Sequence, residues 1–173
     1  EAFYEIQKIA ADYHILTEPR TYGPISIIPL FAWYDYSFGQ PSKALFNAWV
    51  DFKACNWPTN FDLKAVTDFF ISKNKKYLNL TNEKVITFSH FLPRIDLLPI
   101  YVPQKVKALF PVLGTSALEA QIRSLMPNIH IYGHSHLNRD IKLKNIRYIN
   151  NAFGYPYETR ICCKELCFIM DFD

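Results

Sequence analysis

No stretch of this chain is apolar for long enough to cross a bilayer. The longest candidate, PISIIPLFAWY at residues 24–34, is about half the roughly 20 residues a spanning helix needs, so no membrane segment is expected. A secretory leader is also absent from the pattern: the chain opens on Glu1 with an amphipathic stretch, where a leader has a basic region followed by an apolar one. There is no initiator Met, which reads as a piece of a longer chain or a processed one. Basic runs and basic stripes are missing too. With a net charge of only +3, nothing indicates a nucleic-acid partner. No CxxC pair occurs. The cysteines are Cys55, Cys162, Cys163 and Cys167, three of them crowded into RICCKELCFIMDF at residues 160–172. That spacing fits no common zinc knuckle, so reduced thiols in a cytoplasmic protein are expected rather than disulfides or a cysteine metal site. No repeat, low-complexity tract or linker divides the chain, and residues 1–173 are read as one domain.

What the chain does contain is apolar and aromatic bulk. Half of the residues are hydrophobic and 16% aromatic, with 14 Phe and 11 Tyr, which excludes a disordered segment. Residues 2–16 space Phe3, Ile6, Ala10 and Tyr13 as one face of a helix. Residues 24–35 read as a buried strand running into a loop. Residues 41–55 place Leu45, Trp49 and Phe52 at helical spacing, with Pro41 near the start. A further helix is expected in residues 57–78, capped by Thr59 or Asn60, with Leu63, Val66, Phe69 and Phe70 on its apolar side.

The second half is more informative. EKVITFSH, residues 83–90, is β-branched and apolar, a strand ending at His90. TSALEAQIRSLM, residues 115–126, carries the capping-box pair Ser116 and Glu119, and Pro127 stops the helix they start. NIHIYG, residues 128–133, is the next strand. Strand, helix, strand is a βαβ unit, so the two strands should run parallel and side by side. The class is therefore mixed α/β. Beyond it, DIKLKNIRYIN reads as a hairpin turning at Lys144 and Asn145, and residues 160–172 as a last strand or strand pair.

In an open parallel sheet, ligands gather beyond the carboxyl ends of the strands. His90 sits at one such end. His134 and His136 follow the other, after Gly133, which would let the backbone turn sharply. Neutral imidazoles are common ligands of zinc, iron and manganese, so the three are candidate metal ligands. His14 and His130 stand alone and are read as satisfied surface or core residues, and Tyr132 as core. A single zinc held by three histidines is the other metal reading. Sites of that kind, in carbonic-anhydrase-like folds or cupin-like barrels, belong to folds dominated by antiparallel strands, and the capped helix between His90 and His134 argues against one.

GHSH at 133–136, preceded by a strand and paired with an upstream strand ending in Ser89-His90, resembles the late motifs of the calcineurin-like metallophosphoesterases. YINNAFGYP at 148–156 is similar to the segment that follows, and IIPLFAWYDYSF with FSHFLPR resembles a cytosolic bacterial and plant subgroup. The resemblance covers nearly the whole chain, but only as the C-terminal half of that family's domain. It implies part of a four-layer αββα sandwich and a dinuclear centre of two divalent or trivalent ions (manganese, iron or zinc). His90 and His134 would bind one ion and His136 the other. It further implies hydrolysis of a phosphate ester, with hydroxide attacking phosphorus. The partner would be a phosphorylated small molecule or a phosphoprotein, and the chain would pair with a second copy or with the missing N-terminal half.

Arg94, Asn138 and Arg139 are candidate phosphate-binding residues on this reading, and Asn150 and Asn151 are read as turn residues. The family's early Asp-x-His, Gly-Asp-x-x-Asp and Gly-Asn-His motifs are absent. Their ligands and a catalytic histidine would lie upstream of Glu1, which implies weak metal binding and little activity for this chain alone. The alternative is a non-catalytic scaffold of the same fold.

Overall fold

The computed structural model describes residues 2–171. Its elements, in chain order, are α1 (Ala2–Asp12), β1 (Arg20–Tyr22), β2 (Ile25–Pro29), α2 (Lys43–Ala48), α3 (Asp51–Ala54), α4 (Leu63–Asn74), β3 (Lys84–Ser89), α5 (Gln104–Lys107), α6 (Ser116–Leu125), β4 (Ile129–Tyr132), β5 (Arg139–Leu143) and β6 (Ile146–Asn150). They build a mixed α/β fold on one six-stranded sheet of order β1-β2-β3-β4-β6-β5. The inner strands β2, β3, β4 and β6 run parallel, and β1 and β5 are antiparallel edges. The expected βαβ unit is present: Ile86 pairs with Ile129 and Ser89 with Tyr132 in parallel register.

Inner strands buried on both faces need apolar residues at successive positions, and isoleucine supplies most of them. Ile25, Ile86, Ile129 and Ile149 form one face, covered in part by Ile169 and Met170. The other face, with Ile28, Val85, Tyr132 and Tyr148, packs on Leu118, Ile122 and Leu125 of α6. Those three and Gln121 follow the i, i+3, i+4, i+7 spacing of a buried helical stripe. Full burial of each Leu or Ile contributes about 1.5–3 kcal/mol. A buried polar bridge ties the helices together. Asn74 accepts from the Phe31 amide, donates to the Phe31 carbonyl and donates to Gln121, whose own amide donates to the Ile71 carbonyl.

Several expectations are corrected. The capping box does not form. Thr115 caps α6 by accepting from the Ala117 amide. Glu119 turns instead to Arg94, Arg123 and Tyr148, because three donors converge on it from neighbouring elements. Asp62, not Thr59 or Asn60, caps α4. The helix expected over 41–55 breaks at Trp49, whose extended backbone ends α2. In α1 only Ala10 is buried; Ile6, and Tyr13 just past the end of the helix, face solvent. No strand forms between residues 151 and 171, and Phe172, the last residue of the expected strand, lies outside the described residues. The hairpin at Lys144 and Asn145 is present, both in the left-handed region that a tight primed turn requires.

Candidate functional site

The parallel pairing of β3 and β4 delivers His90 and the 133–136 loop to one edge of the sheet. The amide of Gly133 donates to the carbonyl of His90 at 3.1 Å. The turn is then made by the histidines themselves: His134 has φ 63° and His136 φ 50°. Gly133 has no positive φ, so its expected role in the turn is corrected. Left-handed backbone at a non-glycine residue is uphill, and two such residues in three mark a loop held by its surroundings. Asn150 does much of the holding. Its side-chain amide donates to the Gly133 carbonyl and the Ser135 hydroxyl, and its oxygen accepts from the Ala152 amide. It is a brace for the site, not merely a turn residue.

His90 Nε2 and His134 Nδ1 are 2.9 Å apart. His134 Nε2 lies 3.1 Å from the Val112 carbonyl, which can only accept, so that nitrogen carries the proton. The lone pair of the neutral ring is then on Nδ1, facing His90. Burial pushes His134 down to about 4, assisted by the charge of His90. His90 is open to solvent on one side but is also held below the usual imidazole range, by burial of its inner edge and then by His136. Both rings are thus neutral, the form that binds metals.

His136 is differently engaged. Its Nδ1 is 2.9 Å from Glu158 Oε2, and Cys162 Sγ donates to its carbonyl. The Tyr155 amide and then His136 hold the Glu158 carboxyl below its ordinary range.

His90 and His134 are thus in direct contact, while His136 is held by Glu158. Among the described residues, no group of three or more His, Cys, Asp or Glu side chains is arranged to hold a metal ion. The pair itself fits a cation. Two imidazole nitrogens on one zinc stand about 3.4 Å apart at bond lengths of about 2.0–2.1 Å, so the pair would open by roughly half an ångström and His90 would move its proton to Nδ1.

All three histidines line a cavity of about 970 Å³, with Glu158 and Ser135 beside them. Arg94, Asn138 and Arg139 are not among its lining residues. Arg94 forms a two-pronged pair with Asp96 and reaches Glu119. Asn138 bonds the Ala152 carbonyl and the Cys163 amide. Arg139 starts β5 near the Tyr132 phenol. The loop positions of all three follow from their sequence neighbours, but their side chains are drawn to acceptors outside the cavity or to the sheet. Glu158 and Trp49, which do line it, are distant in sequence from the histidines and carry no motif.

No family model matches the chain, and no curated protein matches it. Among solved structures it is similar to a phosphopantetheinyl hydrolase from Mycobacterium tuberculosis, with 20% identity and a TM-score of 0.66 over 92% of this chain. The chain spans 63% of that protein's length. The neighbour is a phosphopantetheinyl hydrolase, not a calcineurin-like metallophosphoesterase, so the family resemblance read from GHSH is corrected. What the likeness shows is a shared fold.

Proposed function

We propose that this chain carries the imidazole side of a metal-dependent phosphate-ester hydrolase site, built to take two ions such as manganese, iron or zinc. The observation that carries the reading is the His90–His134 pair: two neutral imidazoles, 2.9 Å apart, at the carboxyl ends of adjacent parallel strands. A hydrolase of related fold supports the hydrolytic class.

When bound, such cations supply Lewis acidity and bring the pKa of water toward neutrality. The chain's own residues then have defined tasks. His134 offers its Nδ1 lone pair and stays oriented through the Val112 carbonyl. Glu158 fixes His136, which leaves Nε2 of that ring free of Glu158 and able to pass a proton. In the net reaction water enters, one P–O bond forms and one breaks, and the leaving oxygen takes a proton.

A second reading is a non-catalytic binding module, favoured by the absence of a third donor beside the pair among the described residues. Cobalt(II) and zinc titrations of the chain, with manganese-supplemented hydrolysis of aryl phosphates, separate the two. The hydrolase reading expects weak cation binding that falls at least tenfold, about 1.4 kcal/mol, in both His90→Ala and His134→Ala. Cation affinity indifferent to both substitutions would overturn it. Binding that depends on the pair, with no cation-stimulated turnover, would favour the binding module.

A further inference from the structure

The cavity beside the imidazoles is far larger than a phosphoryl group. About 970 Å³ lies at the upper end of pockets that enclose whole small molecules. Its walls are unlike one another. One carries His90, His134, His136 and Glu158. The opposite wall is apolar, formed by Leu98, Val102, Val106, Leu109 and Leu113, with Trp49 and Asp51 alongside.

The charges are as informative as the apolar wall. No Lys or Arg lines the cavity among the described residues, and its acidic residues are Asp51 and Glu158. Asp51 already accepts from the Trp49 indole N–H at 2.9 Å. A ligand with several negative charges would meet carboxylates and no protein cation. Such like-charge contact rejects a partner. One phosphoryl group is the anionic load that cations at the His90–His134 pair can neutralise. Everything attached to it must lie against Leu98, Val106 and their neighbours.

We propose that the substrate of this site is a phosphate ester whose only charged group is the phosphoryl itself, joined to an apolar chain of several carbons that lies along the Leu98–Val106–Leu109 wall. Nucleoside polyphosphates and phosphorylated acidic peptides are excluded. This rests on the hydrolytic reading above and names its substrate class.

The test uses octylphosphonate, ethylphosphonate and ADP, titrated into the chain with and without zinc. The readout is the fluorescence of Trp33 and Trp49, both on the cavity wall. Octylphosphonate should bind more tightly than ethylphosphonate, by about threefold to fourfold for each methylene that reaches the wall, and ADP should bind no better than ethylphosphonate. Val106→Asp should remove the advantage of the octyl chain and leave ethylphosphonate within twofold. Tyr101→Ser, at a rim position 94% exposed, should reduce the advantage in a chain whose fold is undisturbed. Affinity independent of chain length, or tight binding of ADP, overturns the proposal. The arm without zinc reads the apolar wall alone, so a failure of the metal reading would not be mistaken for a failure of this one.

Discussion

His90 Nε2 faces His134 Nδ1 at 2.9 Å while His134 Nε2 is tied to the Val112 carbonyl. The proton on His134 is therefore fixed from outside the pair, and His90 must supply the hydrogen between them. The relationship depends on a backbone carbonyl 22 residues upstream of His134, in the turn that precedes α6. The site is thus assembled from three separate parts of the chain.

Asn150 should matter as much as the histidines it supports. It is 1% exposed and satisfies groups on Gly133, Ser135 and Ala152. Asn150→Ala leaves those groups unpaired and is expected to cost about 2 kcal/mol in stability. Cobalt(II) affinity should fall about tenfold as the 133–136 loop relaxes. Chemical denaturation and cobalt titration on the same protein check both. Unchanged cobalt binding in a destabilised variant would confine Asn150 to a structural role.

His130 sets an acid limit on the fold. It is fully buried, with Nδ1 2.8 Å from Thr87 Oγ1 and Nε2 3.2 Å from Ser89 Oγ. Ser89 gives its own hydrogen to the Phe91 carbonyl, so His130 donates through Nε2 and accepts from Thr87. Burial drives its pKa down to about 3, whereas the unfolded chain takes the proton near 6.5. The unfolded state therefore binds more protons below that value. Stability is full above about pH 6.5 and is lost as pH falls toward the folded value. Between pH 6.5 and 5 the loss from this residue is about 1.5 kcal/mol. Part-buried His134 acts in the same direction. Urea midpoints should fall over that range in the native sequence and fall less in His130→Gln. Midpoints that do not change with pH would contradict the assignment.

Gly154 is wedged beside the partners of His136. At φ +58° an added Cβ would lie 2.5 Å from Cys162 Sγ and 2.6 Å from Glu158 Oε2, and both of those groups touch His136. Gly154→Ala should cost the roughly 1–2 kcal/mol of a left-handed non-glycine residue and, beyond that, displace Glu158. Gly23, at φ +54° with nothing within 4 Å of its added Cβ, is the control that isolates the backbone cost. Thermal melts together with the His136 ring signals in NMR distinguish them. Equal losses in the two variants, with unmoved His136 signals, would refute the wedge.

The inner strands and the β5–β6 hairpin were readable because their signals are local, whereas the short edge strand β1 was not read. The isoleucines of β2, β3 and β4 and the Lys144–Asn145 turn each declare themselves within a few residues. His90 and the 134–136 loop could be brought together because strands joined through a helix run parallel. What stayed hidden was decided across long separations. Glu119 has the spacing of a capping box, yet Arg94, Arg123 and Tyr148 offer it three donors, which outweigh one backbone amide. Glu158 orients His136 through a contact no motif marks. Residues 160–172 have the composition of a strand. Within residues 160–171 no strand forms, and backbone groups go to loop partners, as when the Cys163 amide donates to Asn138.

That final stretch has a consequence for how the molecule is made. Cys162 secures the His136 carbonyl, Cys163 secures Asn138, and the Ile169 carbonyl receives Arg147. All of these clasps belong to residues translated after β6, when every strand of the sheet has already been synthesised. A polypeptide emerging from its amino end can thus settle its isoleucine-faced sheet first. The corner bearing His136 acquires its finished shape last, when the trailing segment wraps back and locks it.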